Sequence, residues 1–225
     1  MCGRMTRERE IESYCDAMEA KPPGVQLPVS YNVAPTQLSL IVRRAEGGER
    51  EGAIARWGLI PRWAKDRSIG SRLINARAET VAEKPAFRHA LEARRCVAPA
   101  DSFYEWRKLA GPRRKQPWRI LRADGEPLRL AGLWETRDGG EGAVESFTII
   151  TVAASVFMQS LHDRMPAILE PEDVDVWLDP DAGVSSARGL LRPAADGVLL
   201  AHPVSERVNS PANDDQTLIE PIDSA

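Results

Sequence analysis

Apolar positions in this chain recur with two different periods. Ile11, Tyr14, Cys15 and Met18 stand at i, i+3, i+4 and i+7. That spacing predicts an amphipathic helix over about 7–20, ended by Lys21-Pro-Pro-Gly. Short runs rich in β-branched and aromatic residues predict strands at 38–42, 53–57, 96–98, 103–106, 118–121, 128–134, 147–153 and 198–202. Helical patterns fall near 79–94, 171–178 and 185–192, the second opening on Pro171-Glu-Asp, a proline and acidic first turn. Gly47-Gly48, Asp124-Gly125 and Asp138-Gly139-Gly140 read as turns, and the Ser-, Pro-, Asn- and Asp-rich stretch 210–215 as a surface loop. Many strands broken by a few helices, without regular βαβ alternation, indicate an α+β fold. No long linker divides the chain, so residues 1–225 are expected to form a single domain.

The 225 residues are 43 % hydrophobic and 28 % charged, an ordinary globular composition that excludes disordered, collagenous and disulfide-dense classes. No stretch approaches the roughly 18 unbroken apolar residues of a membrane helix. The N-terminal Met-Cys-Gly-Arg-Met-Thr-Arg-Glu lacks the apolar core of a signal peptide, so a cytoplasmic protein with no membrane partner is expected. The three cysteines form no Cys-x-x-Cys pair, which argues against a disulfide framework or a zinc site. Charge changes the picture more. Residues 1–120 carry 23 Lys and Arg against 14 Asp and Glu, whereas residues 121–225 carry 7 against 19. Arginine dominates the basic set, and its fork-shaped head suits phosphates and flat rings. A polyanion partner and internal pairing between the two halves both account for this division.

Cys2 is the most informative position. Removal of Met1 would leave it as the N-terminal residue, with an amine and a thiol on adjacent carbons. Their ordinary pKa values, about 7.7–8.0 and about 8.5, leave each partly nucleophilic near neutrality. Such an aminothiol condenses with an aldehyde and closes a thiazolidine ring. It also serves as an N-terminal nucleophile toward an amide, or packs as an ordinary buried cysteine. Cys15, on the helical stripe, and Cys96, opening an apolar run, read as core. His162, in Leu161-His-Asp-Arg-Met-Pro, is the candidate proton-transfer group, while His89 reads as surface and His202 as structural. Glu105 lies among aromatics in Phe103-Tyr-Glu-Trp106. Period-2 alternation places it outward, and burial would instead raise its pKa into a useful range. Asn75 offers a donor and an acceptor to a sugar or carbonyl oxygen. Basic residues interleave with Trp57 and Trp63 over 56–77, and Arg107, Lys108, Arg113, Arg114 and Lys115 follow Trp106, a pattern suited to single-stranded nucleic acid. Trp134 and Trp177 read as core. Phosphate-loop, dinucleotide, His-Glu-x-x-His and Gly-x-Ser-x-Gly motifs are all missing from the sequence.

In order along the chain come Met1-Cys-Gly-Arg4, Tyr31-Asn-Val-Ala-Pro35, Arg56-Trp-Gly-Leu-Ile-Pro61, Ile74-Asn-Ala-Arg-Ala-Glu-Thr80, Arg95-Cys, Pro99-Ala-Asp, Phe103-Tyr-Glu-Trp106, Ala131-Gly-Leu-Trp-Glu135 and His162-Asp-Arg-Met-Pro166. Each is weak alone. The ordered set strongly resembles the SOS response-associated peptidase family, the abasic-site shielding proteins, from Cys2 to about Pro221. The resemblance implies a β-barrel-like core of mostly antiparallel strands flanked by helices. It implies binding of single-stranded DNA in a positively charged channel and covalent capture of an abasic site by the mature Cys2, with no metal or organic cofactor. Cys2, Asn75, Glu105 and His162 match the family's catalytic residues. Arg4 and Arg77 match its DNA-contacting arginines, and Pro35, Trp63 and Trp106 match residues lining its DNA path. A monomer acting on abasic single strands during the DNA damage response is the reading adopted. A Cys2-dependent autopeptidase that removes Met1, weak strand-cleaving lyase activity, and a non-catalytic single-strand binder are the alternatives.

Overall fold

The computed structural model describes residues 2–109, 115–138 and 142–223. The chain runs through β1 (Met5–Arg7), α1 (Ile11–Asp16), β2 (Ser30–Val33), β3 (Leu38–Arg44), β4 (Arg50–Trp57) and β5 (Asn75–Arg77). It continues through α2 (Arg88–Ala93), β6 (Arg95–Ala100), β7 (Ser102–Lys108), β8 (Lys115–Arg122), β9 (Leu128–Arg137) and β10 (Val144–Ala153). The last elements are α3 (Val156–Gln159), β11 (Arg164–Pro166), α4 (Val174–Leu178), α5 (Gly183–Gly189) and β12 (Leu199–Pro203).

Two sheets follow from this order. β10, β4, β3, β6 and β9 are joined edge to edge, and β9 pairs back onto β10, so these five strands close into a barrel. Closure leaves no free edge among them. All its pairs are antiparallel except β10 with β4. Barrel strands buried on both sides read as nearly unbroken apolar runs, which is why β9 and β10 stand out in the sequence. Trp57 and Phe147 stack inside, with centroids 6.3 Å apart. The second sheet, β12-β8-β7-β1-β2, is antiparallel throughout. The α+β class read from the strand and helix pattern is present, as are the barrel core and flanking helices that the family resemblance implies.

β6 and β7 are nearly one strand, bent at Asp101 out of the barrel and into the second sheet. The Asp101 carboxylate holds that corner. It accepts from the Glu8 amide (2.6 Å), from Arg9 Nε (2.7 Å) and from the Tyr14 hydroxyl. These bonds tie the segment after β1 to the corner and so fix where the N-terminus lies. Asp101→Ala strands several donors, two of them buried or half-buried, and is expected to cost about 3 kcal/mol in urea denaturation. Asp101→Asn should retain part of that.

The end of β10 outruns the barrel and pairs with β5 on one side and β11 on the other. β5 is delivered there by a crossing of two glycines. A Cβ on Gly58, whose φ is +118°, would sit 2.5 Å from Gly70 O. A Cβ on Gly70 would in turn sit 2.6 Å from Gly58 O, so neither position accepts a side chain.

The structure departs from the expected elements in instructive places. The predicted helix over 7–20 shrinks to Ile11–Asp16, because Met5–Arg7 pair with β2 and β7 instead. The helix near 79–94 starts only at Arg88, after turns around Pro85, since proline disfavours helical geometry in the residue before it. β1, β2, β5 and β11 span three or four residues each, too few to show a period. Cys15, Cys96 and Trp177 are buried as expected, while Trp134 is half-buried beneath Arg43, 4.1 Å from its ring centroid. The turns at Gly47-Gly48 and Asp124-Gly125 are present, with φ +87° at Gly48 and +77° at Gly125. Gly139, Gly140, Arg113 and Arg114 lie outside the described residues.

Candidate active site

Cys2 is fully buried at the start of the run that becomes β1. Tyr104 donates its amide to Arg4 O (3.0 Å), which extends the β1–β7 pairing toward the N-terminus. Continuing the register of Met5 opposite Phe103 places Glu105 opposite Gly3, beside Cys2. Glu105 is only 2 % exposed. The outward placement given by alternation alone is therefore overturned. The alternation itself survives, but both faces of β7 are covered. Phe103 belongs to the main core, whereas Tyr104 packs on Val204, Val208 and Leu218 from the C-terminal stretch. Burial raises the Glu105 pKa, with the His162 charge among the opposing influences.

The same burial, reinforced by the Glu105 charge, raises the Cys2 thiol well above its ordinary value. The thiol is thus protonated at neutral pH, contrary to the partial ionisation that reference values give. It needs a neighbouring base before it can attack.

Asn75 Nδ2 donates to Cys2 O at 2.8 Å. Asn75 Oδ1 is buried with no hydrogen-bond partner among the described residues. Strand alternation in β5 puts Asn75 and Arg77 on one face and buries Ala76 on the other, so exposed Arg77 stands beside the site. His162 follows α3 and is held by its own amide, which donates to Met158 O (2.9 Å). Its Nδ1 accepts from the Arg164 amide at 2.9 Å. A ring nitrogen that accepts carries no proton, so neutral His162 in this arrangement bears its proton on Nε2. Asp163 Oδ1, also 2.8 Å from Nδ1, would call for the opposite tautomer. The amide can only donate, whereas Asp163 is 88 % exposed and its carboxylate is open to solvent, so the amide decides.

Cys2, Asn75, Glu105 and His162 therefore come from four separate segments and meet at one end of β10. Arg4 is partly committed elsewhere: its guanidinium donates to Asn32 Oδ1 (2.8 Å), Val208 O (2.6 Å) and Asn209 O (3.1 Å). Trp106 is half-buried and donates from Nε1 to Asn209 Oδ1 (2.7 Å). Pro35 is half-buried just beyond β2. Trp63 is 59 % exposed and lines a cavity with Arg62, Pro85, His89 and Glu135, to which none of Cys2, Asn75, Glu105 and His162 contributes. His89 is at the surface beside Glu92, and His202 Nε2 lies 3.1 Å from Ile219 O, as their sequence settings indicated.

Part of the arginine excess is consumed internally. Arg44 and Arg50 pair with Asp175, Arg43 with Glu145, and Arg94 with Glu135, so basic first-half residues meet acidic second-half ones. Asn32, Glu79, Asp101 and Arg164 carry much of the positioning yet were given no role from the sequence. Each sits inside one of the short motifs, and that placement was the signal available. Among the described residues no cluster of His, Cys, Asp and Glu could hold a metal ion, and no helix is long and apolar enough to cross a membrane.

The model of the SOS response associated peptidase (SRAP) family matches residues 1–211. Abasic site processing protein YoqW of Bacillus subtilis is 43 % identical over 225 residues, covering 98 % of this chain and 99 % of its own. Abasic site processing protein YedK of Escherichia coli is 33 % identical, covering 99 % and 100 %. A crystal structure of a protein from Bacteroides thetaiotaomicron superposes with a TM-score of 0.88 at 26 % identity, covering 98 % of this chain and 100 % of that one.

Proposed function

This chain belongs to the SOS response-associated peptidase family, and from that premise we propose that it captures abasic sites in single-stranded DNA as a covalent thiazolidine on Cys2. The observation that carries this reading is the convergence of a buried carboxyl, Glu105, and a side-chain amide, Asn75, on a cysteine at position 2. Relatives named as abasic site processing proteins, matched over nearly the whole chain, support it.

Met1 is first removed, which frees the Cys2 α-amine. The abasic sugar opens from hemiacetal to aldehyde, with His162 moving the proton between ring oxygen and anomeric hydroxyl. The amine adds to the aldehyde carbon and passes one proton to the new alkoxide, and the Glu105 carboxyl, its pKa raised by burial, gives its proton to the departing hydroxyl, so that water leaves and a protonated imine forms. Glu105, now a carboxylate, takes the thiol proton as Cys2 Sγ bonds the imine carbon, and the C=N electron pair returns to the nitrogen, which keeps its one proton as the neutral ring amine. One carbon–nitrogen and one carbon–sulfur bond form, and one water departs. Asn75 holds the Cys2 carbonyl throughout and leaves Oδ1 to accept from a sugar hydroxyl. The imine acidifies the neighbouring sugar proton, so slow strand cleavage accompanies capture. An abasic nucleotide has no base to unstack, which lowers the cost of bringing it into the site.

Arg77 supplies a phosphate contact, and Arg4 adds the N–H groups it does not spend on carbonyls. Pro35, Trp63 and Trp106 offer flat faces to neighbouring bases. Arg77→Ala should lower the slope of log K against log salt on intact single strands by about 0.7. An unchanged slope would place the DNA elsewhere. The two proton-transfer groups separate kinetically. His162→Ala should slow capture of the closed sugar while leaving a small open aldehyde nearly unaffected, so the ratio of the two rates falls. Equal slowing of both would move His162 to the imine or ring-closing step. The reading as a whole is tested on a denaturing gel. A heat-stable adduct should form with a single-stranded abasic oligonucleotide and not with its tetrahydrofuran analogue, which cannot open. Absence of adduct with either would leave a non-catalytic binder.

A further inference from the structure

The geometry points to Glu79 and Arg164 as a positioning pair that sets the tautomer and place of His162 for sugar opening. This inference rests on the capture reading above. Arg164 lies two residues beyond His162 and opens β11, opposite Ala153 of β10. Its backbone amide is the group that donates to His162 Nδ1. Its side chain is mostly buried and clamped from two sides. Nη1 and Nη2 grip the Glu79 carboxylate as a fork, at 2.6 and 3.0 Å. Nη2 also donates to Thr151 O at 2.6 Å and Thr151 Oγ1 at 3.3 Å.

Glu79 stands four residues beyond Asn75, just past the end of β5. The fork therefore ties the strand that carries Asn75 to the segment that carries His162, across the end of β10. Planar two-point pairing fixes direction as well as distance. It holds the Arg164 backbone where its amide meets Nδ1, and a competing partner for that nitrogen is close by. The Asp163 carboxylate lies 2.8 Å from Nδ1 and would take a proton placed there. Two arrangements thus compete. In one, the Arg164 amide is engaged and the proton sits on Nε2. In the other, Asp163 is engaged and the proton sits on Nδ1. The Glu79–Arg164 fork favours the first.

Other charges facing the fork do not replace it. Arg77, nearby on β5, repels Arg164 and attracts Glu79. The Arg164 hydrogen bond is the largest influence holding the Glu79 pKa below its ordinary value.

The test compares Glu79→Gln and Glu79→Asp with the parent at saturating single-stranded abasic DNA, so that binding changes do not enter. A partly exposed ion pair of this kind corresponds to about a fivefold effect. Glu79→Gln should slow capture of the closed abasic sugar by about that factor, leave capture of a small open aldehyde unchanged, and move His162 toward the Nδ1–H tautomer in nitrogen-15 NMR. Glu79→Asp should restore part of the rate. Adding Asp163→Asn to Glu79→Gln should return the tautomer, because the competing acceptor is weakened. Unchanged or faster abasic capture in Glu79→Gln, or slowing of both aldehydes alike, would overturn the assignment. Failure of the parent itself to form adduct would instead overturn the capture reading.

Discussion

Cys2→Ala and Cys2→Ser are each expected to abolish the heat-stable adduct with an abasic oligonucleotide while leaving a trace of imine. The two variants divide the chemistry. Both keep an N-terminal amine once Met1 is gone, so both can form an imine that borohydride traps. Only the thiol closes a stable ring, because a serine hydroxyl is barely ionised near neutrality and is the weaker nucleophile toward an imine. Burial sharpens this difference. The thiol pKa is raised at Cys2, so even sulfur depends on a base, and oxygen would need a far stronger one. Replacing Cys2 with Ser keeps the size of the side chain within the core, so loss of product in that variant is not a folding failure. A heat-stable adduct from Cys2→Ser without reductant would remove the thiazolidine from consideration.

Glu105→Gln carries the second large effect, a slowing of about 10²–10⁴-fold for both abasic DNA and a small aldehyde, the usual range for a lost proton-transfer group. Glutamine keeps the shape and the polarity but cannot release or accept the proton that departing water and the thiol need. Adduct should still accumulate slowly, since the aminothiol is intact. The pH profile gives a second reading. Glu105 acts first as an acid, so the parent rate should fall as pH rises through its raised pKa, and Glu105→Gln should lose that fall. Stability moves with the same group. Because its folded pKa lies above the unfolded one, the protonated native form is favoured below the unfolded value. That stabilisation is lost as pH rises through the folded value. Glu105→Gln should flatten this dependence in urea titrations. An unchanged rate in Glu105→Gln would assign the proton transfers to another group.

How much of this was legible in the chain depends on length and on burial. β9 and β10 were readable because barrel strands covered on both sides are long apolar runs. β5 and β11, which bring in Asn75 and deliver the segment of His162, were not, because three residues carry no period. Their placement depends on pairing with the far end of β10 and on the Gly58–Gly70 crossing, both long-range facts. Glu105 shows the limit most clearly. Alternation along β7 is real, yet both of its faces are covered: Glu105 shares the Phe103 face with the main core, and residues 204–218, about a hundred positions away, cover the Tyr104 face. The ordered motifs did single out Cys2, Asn75, Glu105 and His162. They did not show that Arg4 spends much of its guanidinium on carbonyls at 208 and 209, since a motif records identity and not partners.

The most direct measurement is on the N-terminal tryptic peptide after reaction with abasic single-stranded DNA and nuclease digestion. It should be Cys2-Gly3-Arg4, without Met1, carrying the sugar remnant less one water. It should also resist alkylation by iodoacetamide, because both amine and thiol are consumed in the ring. A remnant on any other residue, or a Cys2 thiol in the adduct that still alkylates, would contradict capture as a thiazolidine at Cys2.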